Sequence, residues 1–218
     1  MVQPTIRKPR TTSRLHCYER SNSVRTDGKG RSATGRRLDD LRSLTECLRH
    51  SSLPRIANEL LGPKARPVRA VVFDKTAEEN WALTWHQDRT IAVQQRSETP
   101  GFWNWTVKQG IVHCEPPFAL LAGMITVRLH PDPAGLDNAP LKIAPGSHHR
   151  GVIAEADIAG AVRACGTFTC TADAGDIWVY ATPVLHASDA ALQPGHRRVL
   201  QIDYSADRLP GALAWLPV

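Results

Sequence analysis

Residues 176–204 read DIWVYATPVLHASDAALQPGHRRVLQIDY, and they contain two short runs that favour β-strands, Asp176–Tyr180 and Val199–Tyr204. Both runs are rich in β-branched and aromatic residues, and the dipeptide Pro194-Gly195 between them is a turn signal. Similar runs occur at Val68–Phe73, Ala82–His86, Thr90–Val93, Met124–Leu129, Leu141–Ala144 and Gly166–Thr171. Many short strands separated by Gly and Pro turns predict a mainly β fold, a sandwich or jelly roll.

Two helices are predicted in front of the strands. Leucines at positions 38, 41, 44 and 48 are spaced along one face of a helix over residues 38–49. A second short helix is predicted near Leu53–Leu61, ending at Gly62-Pro63. We therefore expect N-terminal helices packed on the β domain.

The basic charge of the chain is concentrated at its start. Residues 1–37 contain ten Lys or Arg but only two Asp or Glu, a charge of +8, so the remainder of this +6 chain carries −2. Residues 1–33 are also poor in apolar side chains, which predicts a flexible segment ahead of one domain at 34–218. Nucleic-acid binding through this segment is the less favoured interpretation, and it would show strong salt dependence.

The composition excludes several classes of protein. Hydrophobic residues make up 42% and charged residues 22% of 218 residues, as in globular proteins. No run approaches the roughly 18 apolar residues of a membrane span, and no signal peptide is visible, so a cytoplasmic location is expected. The five cysteines include no C-x-x-C pair, which argues against disulfides and a structural zinc site.

The motif with chemical content is Trp85-His86-Gln87-Asp88. Side chains at i and i+2 of a strand share a face, so His86 and Asp88 could bind one cation. Among the later histidines, His186 has the best context for a third ligand, because it ends the apolar run Ile177–Leu185. Two imidazoles and a carboxylate form the facial triad of non-haem Fe(II) oxygenases, which leaves coordination positions open.

An arginine that could bind the far carboxylate of a dicarboxylate cosubstrate follows the third candidate ligand in the sequence. Arg197 comes eleven residues after His186, and a bend over residues 187–195 would place it on the neighbouring strand, facing the same cavity. Arginine can bind a carboxylate through two parallel hydrogen bonds. Ser188 could add a hydroxyl, whereas Arg197 and Arg198 could instead be a solvated pair.

Taken together, these segments resemble the phytanoyl-CoA dioxygenase family of Fe(II)/2-oxoglutarate oxygenases over about residues 35–215. The resemblance is carried by residues 73–76 (FDKT), 85–88 (WHQD), 107–110 (VKQG), 113 with 116–117, 124–130 (MITVRLH), 140–151 (PLKIAPGSHHRG), 175–176, 185–188 (LHAS) and 196–204 (HRRVLQIDY).

The resemblance implies a double-stranded β-helix that binds Fe(II), 2-oxoglutarate and O2. By position, His86, Asp88 and His186 match the family's iron ligands, Arg197 its 2-oxoglutarate arginine and Ser188 its auxiliary hydroxyl. The expected reaction is hydroxylation, or another oxidation, of a C–H bond of a small organic molecule, with release of succinate and CO2. Related halogenases have a small residue at the position of Asp88, so the carboxylate favours hydroxylation.

Further residues are candidates for ligand contacts. Lys75 could reach the cosubstrate, or it could be a charge at a strand end. The long connection between Val93 and Leu121 is predicted to be a lid or binding loop, because loops of this length in small domains are often functional. Within it, Trp105, Lys108 and His113 are candidate substrate contacts. Arg128 could face either the cavity or solvent, and an inward arginine would need an anionic partner.

Two other functions remain compatible with the sequence. One is a cosubstrate-independent, cupin-like metalloenzyme, for which Arg197 would be dispensable. The other is an inactive binding module with the same fold, although such a module would have no reason to keep the triad and Arg197. The sequence leaves the substrate and the oligomeric state open.

Overall fold

The computed structural model describes residues 36–37, 46, 48, 51–108 and 110–218. It contains three α-helices and twelve strands within these ranges. The helices are α1 (Leu53–Leu61), α2 (Phe118–Ala122) and α3 (Ile158–Cys165). The strands are β1 (Arg36–Arg37), β2 (Arg66–Lys75), β3 (Leu83–His86), β4 (Ile91–Val93), β5 (Trp103–Lys108), β6 (Ile111–Glu115), β7 (Ile125–Leu129), β8 (Leu141–Ile143), β9 (Phe168–Cys170), β10 (Ile177–Ala181), β11 (His186–Ser188) and β12 (Arg197–Ser205).

The strands form antiparallel sheets with the topology of a jelly roll. The larger sheet has the order β1-β2-β12-β7-β10, and the smaller has the order β3-β11-β8-β9. A third sheet, β4-β6-β5, extends the domain. Strands that follow each other in sequence mostly lie in different sheets, so the chain repeatedly crosses between the two main sheets. This arrangement confirms the predicted mainly β jelly roll.

The larger sheet has two different faces, because alternate side chains point to opposite sides of a strand. One face is apolar and packs against α1, whose Leu53, Ile56 and Ala57 are buried at helical spacing. Helix α1 ends at Gly62, which has the positive φ of 86° that glycine adopts without strain. The other face is turned toward the smaller sheet and carries polar residues. The sheet therefore packs against α1 with one face and presents polar side chains to the smaller sheet with the other.

The predicted elements are largely found. Each of the eight predicted strands overlaps an observed strand, and α1 has the predicted bounds. Of the predicted helix over residues 38–49, only Glu46 and Leu48 are described, and both are helical. The remainder of that helix and the predicted domain boundary at residue 34 lie outside the described residues, so the division into domains stays a prediction.

The predicted long loop between Val93 and Leu121 is wrong. This stretch forms the hairpin β5–β6 and helix α2. Lys108 pairs with Ile111, which leaves a two-residue connection that includes Gly110 with a φ of 76°. Such tight hairpins require positive φ values, and a glycine between two β-rich runs was the available signal. The segment is part of a sheet and not a free lid.

The apolar run Ile177–Leu185 continues beyond the strand that begins it. Strand β10 ends at Ala181, the chain turns through Thr182 and Pro183, and His186 begins β11 in the other sheet. Proline has no N–H for the ladder, which is the physical reason for the break. His186 therefore stands at the start of its own strand.

A buried histidine beside the larger sheet makes stability depend on pH. His130 follows β7, is 0% exposed, and neither ring nitrogen has a hydrogen-bond partner among the described residues. Burial, and then Arg128 and Arg197, lower the pKa of His130 to about 3. The unfolded chain takes up this proton near pH 6.5, so the folded state loses about 1.4 kcal/mol per pH unit below that value.

We therefore expect His130→Leu to reduce the fall in the free energy of unfolding between pH 7 and pH 5. Urea unfolding with a chelator at several pH values measures this slope. His149→Leu, at an exposed position, is the matched control and should keep the slope of the natural chain. An unchanged slope in His130→Leu would contradict the burial of a neutral ring.

Candidate metal centre

Two histidines face each other across the pairing of β3 and β11. His86 is the last residue of β3 and His186 is the first of β11, and the two are directly opposite in the antiparallel ladder. Opposite residues of a ladder bring their side chains together on one face of the sheet. The centroids of the two imidazoles are 4.3 Å apart, so both rings can reach a single ion.

The orientation of each ring leaves one nitrogen available. His86 Nδ1–H donates to the carbonyl of Thr84 at 2.7 Å, and His186 Nδ1–H donates to that of Val184 at 3.0 Å. Because a carbonyl can only accept, Nδ1 carries the hydrogen and Nε2 keeps a lone pair. Burial lowers the pKa of His186 to about 4, against the opposing effect of Asp88. This ring is therefore neutral at pH 7 and able to bind a metal.

Asp88 adds a carboxylate to the two imidazoles. One ligand atom from each of His86, Asp88 and His186 lies within 4.8 Å of the others. The sequence interpretation placed His86 and Asp88 on one strand, but β3 ends at His86 and Asp88 follows it by two residues. Burial raises the pKa of Asp88, whereas Arg69 and the two imidazoles lower it, and the net pKa is below its usual value. The carboxylate is therefore ionised at pH 7.

Gln87 holds the segment between the first two candidate ligands. Its Nε2 donates to the carbonyls of Gly151 and Pro183 at 3.1 and 2.9 Å, and its Oε1 accepts from the N–H of Ile153 at 2.9 Å. The side chain is thus used fully in tying residues 86–88 to two other parts of the chain. This fixes the backbone from which His86 and Asp88 project.

Arg69 is a site residue that the sequence analysis missed. Its Nη1 lies 3.6 Å from Asp88 Oδ2 and 3.2 Å from Asp203 Oδ2. It therefore balances the charge of Asp88 and links it to the larger sheet. The available signal was the alternation of Arg69, Val71, Phe73 and Lys75 along β2, which places all four on the cavity side.

The three candidate ligands open onto a cavity of about 130 Å³ between the two main sheets. The wall formed by the larger sheet carries three buried cations: Lys75 is 1%, Arg128 5% and Arg197 2% exposed. Lys75 and Arg197 are directly opposite each other on β2 and β12. Like charges at such a position repel, so the wall is suited to an anion.

Burial and the positive charge of this wall lower the pKa values of Lys75 and Arg197. Burial, followed by Arg197 and Arg128, lowers the pKa of Lys75 to about 7. Burial, followed by Arg128, lowers the pKa of Arg197 to about 9. Both shifts mean that positive charge is disfavoured in this cavity until an anion enters it.

The two adjacent arginines of β12 have separate roles. Arg198 donates two side-chain hydrogen bonds to Asp132, each at 2.7 Å, on the side away from the cavity. Arg197 points into the cavity, and its Nε and Nη1 have no hydrogen-bond partner in the described part of the chain. The prediction that Arg197 would lie on a strand next to His186 is wrong, because β12 pairs with β2 and β7. It reaches the cavity from the opposite sheet.

Ser188 and Lys75 lie together at the Arg197 end of the cavity. Lys75 Nζ donates to Ser188 Oγ at 3.2 Å and to the carbonyl of Asp189 at 2.7 Å. It also lies 5.3 Å from the centroid of the Trp81 ring. Lys75 is therefore an internal cation and not a solvated charge at a strand end. Its contacts leave the hydroxyl of Ser188 close to the space in front of Arg197.

The predicted substrate residues separate into two groups. Arg128 lines the cavity, whereas Trp105, Lys108 and His113 are not among the described residues that line it. These three belong to the hairpin β5–β6, where Trp105 packs against a separate apolar cluster. Substrate binding by these four residues stays a prediction. Of the five cysteines, Cys114, Cys165 and Cys170 are described, and all three are free thiols.

The donor set fits iron and a dicarboxylate. Two neutral imidazoles and one carboxylate with open positions are the ligand set of non-haem Fe(II) oxygenases. Across the cavity, unpaired guanidinium nitrogens and an internal lysine offer the charge that a dicarboxylate needs. His86, Asp88 and His186 could hold the metal, and Arg197, Lys75 and Ser188 could hold the far carboxylate.

The family model for phytanoyl-CoA dioxygenase (PhyH) matches residues 16–199. The chain belongs to the phytanoyl-CoA dioxygenase family. The match covers most of the chain and includes the three candidate metal ligands and Arg197, which confirms the family that the sequence indicated.

Solved structures share the fold of this phytanoyl-CoA dioxygenase family member. AviO1 from Streptomyces viridochromogenes Tue57 is 18% identical, with a TM-score of 0.59 over 90% of this chain and 84% of its own. HygX from Streptomyces hygroscopicus, with nickel and 2-oxoglutarate bound, is 15% identical, with a TM-score of 0.54 over 87% and 75%. The non-heme monooxygenase ThoJ is 20% identical, with a TM-score of 0.52 over 75% and 55%. At these identities the likeness shows the fold.

This family member spans about half the length of several structures it matches, including 55% of ThoJ and 50% of EctD from S. alaskensis. Among curated proteins, no significant match is found. Within the described ranges, every helix is too short or too polar to cross a bilayer.

Proposed function

We propose that the protein is an Fe(II)- and 2-oxoglutarate-dependent dioxygenase that hydroxylates, or otherwise oxidises, a C–H bond of a small organic molecule. The observation that carries this proposal is the pairing of two features across one cavity. On one side are His86, Asp88 and His186, with ligand atoms within 4.8 Å of one another. On the other side is the buried, unpaired guanidinium of Arg197.

Bound iron and 2-oxoglutarate, together with O2, would supply an oxidant able to attack a C–H bond, and the cosubstrate would be converted to succinate and CO2. The protein positions the reactants. Arg197 fixes the far carboxylate of the cosubstrate, and Ser188 and Lys75 complete that end. Arg69 keeps Asp88 ionised and oriented, and Gln87 fixes the backbone between the first two ligands.

A cosubstrate-independent metalloenzyme is less well supported by this site. It would leave Arg128 and Arg197 buried in one cavity with no carboxylate of the described residues at ion-pair distance. Unpaired buried cations destabilise a fold by several kcal/mol, by order of magnitude. HygX, of the same fold, has been crystallised with nickel and 2-oxoglutarate, which also supports the cosubstrate.

Anaerobic titration with Fe(II) and then 2-oxoglutarate tests the proposal. We expect a weak visible charge-transfer absorption that requires both additions, and succinate formation after exposure to oxygen. Omitting either iron or 2-oxoglutarate is the control for each signal. If the folded protein gives neither the absorption nor succinate, the proposal is contradicted.

A further inference from the structure

Arg128 is a buried cation that the roles assigned above do not use. It lies on β7, in the middle of the larger sheet, between Gln201 of β12 and Trp178 of β10. Its side chain points into the cavity and is 5% exposed. A charge at this depth is costly unless a counter-charge or hydrogen bonds compensate it.

The neighbours of Arg128 provide little compensation. The guanidinium carbon is 5.3 Å from the centroid of the Phe73 ring. Tyr180 is two residues along β10 from Trp178, which pairs with Arg128, and its hydroxyl has no hydrogen-bond partner in the described part of the chain. The Nε of Arg128 is buried without a hydrogen-bond partner among the residues that the structure describes. Both neighbours are neutral, and no carboxylate of the described residues lies at ion-pair distance from Arg128.

The position of Arg128 indicates which anion would balance it. In the sheet it lies opposite Gln201, which is between Arg197 and Asp203 along β12, and Arg69 links Asp203 to Asp88 at the candidate metal end. It therefore lies between the two ends of the cavity. A ligand that chelates the metal and reaches Arg197 must pass this position.

Arg69, another arginine that lines the cavity, already has two carboxylate partners. Arg69 is shared between Asp88 and Asp203 at 3.6 and 3.2 Å. Arg197 is assigned to the far carboxylate by the proposed function. Arg128 is then the cation available to a carboxylate that lies next to the metal.

We propose that Arg128 binds the 2-keto-acid carboxylate of the cosubstrate, at the end opposite to the carboxylate that Arg197 holds. This proposal rests on the proposed function and deepens it, because it gives the cavity two carboxylate anchors. Arg128 would orient the chelating end, with the ring of Phe73 packed near its guanidinium.

Calorimetric titration of Ni(II)-loaded protein separates the two anchors without turnover. The probes are 2-oxoglutarate, 2-oxovalerate, which lacks the far carboxylate, and glutarate, which lacks the keto group. We expect Arg128→Met to weaken binding of both keto acids by the same factor, about 10- to 100-fold, as for a lost charge-assisted bond. Arg197→Met should weaken 2-oxoglutarate but not 2-oxovalerate. Arg198→Met is the matched control, because Arg198 is bonded to Asp132.

Each outcome decides the question. Unchanged keto-acid affinity in Arg128→Met, with the expected loss in Arg197→Met, overturns this inference and leaves the proposed function intact. An equal loss of glutarate affinity in Arg128→Met overturns it as well, because it indicates a general charge effect. Failure of the natural protein to bind 2-oxoglutarate would count against the proposed function itself. Circular dichroism of each variant checks that it is folded, and Arg128→Lys, which keeps the charge, should have intermediate affinity for both keto acids.

Discussion

Asp88→Ala is expected to abolish succinate formation and to weaken metal binding by more than about 100-fold. Altering residues that only support a metal ligand typically costs about 10- to 100-fold, and loss of a ligand costs more. Asp88 is the carboxylate of the three-residue group, and its removal leaves only the two imidazoles. Anaerobic titration with Fe(II), followed by a succinate assay in oxygen, measures both effects.

The variant should fold, because the Asp88 side chain is partly exposed and Arg69 keeps its ion pair with Asp203. Asp74→Ala is the matched control, since Asp74 is a more exposed carboxylate on β2 whose partner is His196. We expect Asp74→Ala to keep metal affinity and turnover. If Asp88→Ala binds the metal as tightly as the natural chain does, the ion is held by other residues.

Arg197→Met is expected to weaken 2-oxoglutarate binding by about 100-fold while leaving metal affinity unchanged. A bidentate, charge-assisted pair with a carboxylate contributes roughly 1.5–3 kcal/mol, equivalent to about 10- to 150-fold in affinity. The metal ligands lie on the smaller sheet and beyond its strand β3, so a change on β12 should not alter them. Calorimetry with Ni(II) and then 2-oxoglutarate separates the two affinities.

The same substitution should raise the thermal stability of the ligand-free protein. Arg197 lies opposite Lys75 on the neighbouring strand, and both are buried. Removing one of two facing cations relieves their repulsion, and each kcal/mol gained raises the midpoint by about 2–4 °C in a domain of this size. Arg198→Met should change neither 2-oxoglutarate affinity nor this repulsion. A lower midpoint in Arg197→Met would show that the arginine has a structural role.

Local sequence patterns were sufficient to find eight of the twelve described strands and the candidate ligands. The histidine–x–aspartate motif needs only a local extended chain to place two side chains on one side. The bounds of α1 follow from apolar spacing and from Gly62, which are properties of a few adjacent residues. The hairpin β5–β6 was missed because the length of the connection suggested a lid or binding loop, although the pattern around Gly110 was present.

Local patterns could not predict which residues that are distant in the sequence contact each other. Nothing near Arg69 in sequence indicates that its partners are Asp88 and Asp203. Likewise, Arg197 and Arg198 look equivalent in sequence, and only the pairing of β12 sends one into the cavity and the other to Asp132.

The sequence by itself determined the β architecture, the family and the identity of the candidate metal ligands, because these depend on residue type and short-range spacing. Only the tertiary structure decided that β11 and β12 lie in opposite sheets, and hence that the candidate ligands and three buried cations face each other across one cavity. The physical reason is that strand pairing joins residues more than a hundred positions apart, and charge balance in a buried site depends on those neighbours and not on the residues adjacent in the chain.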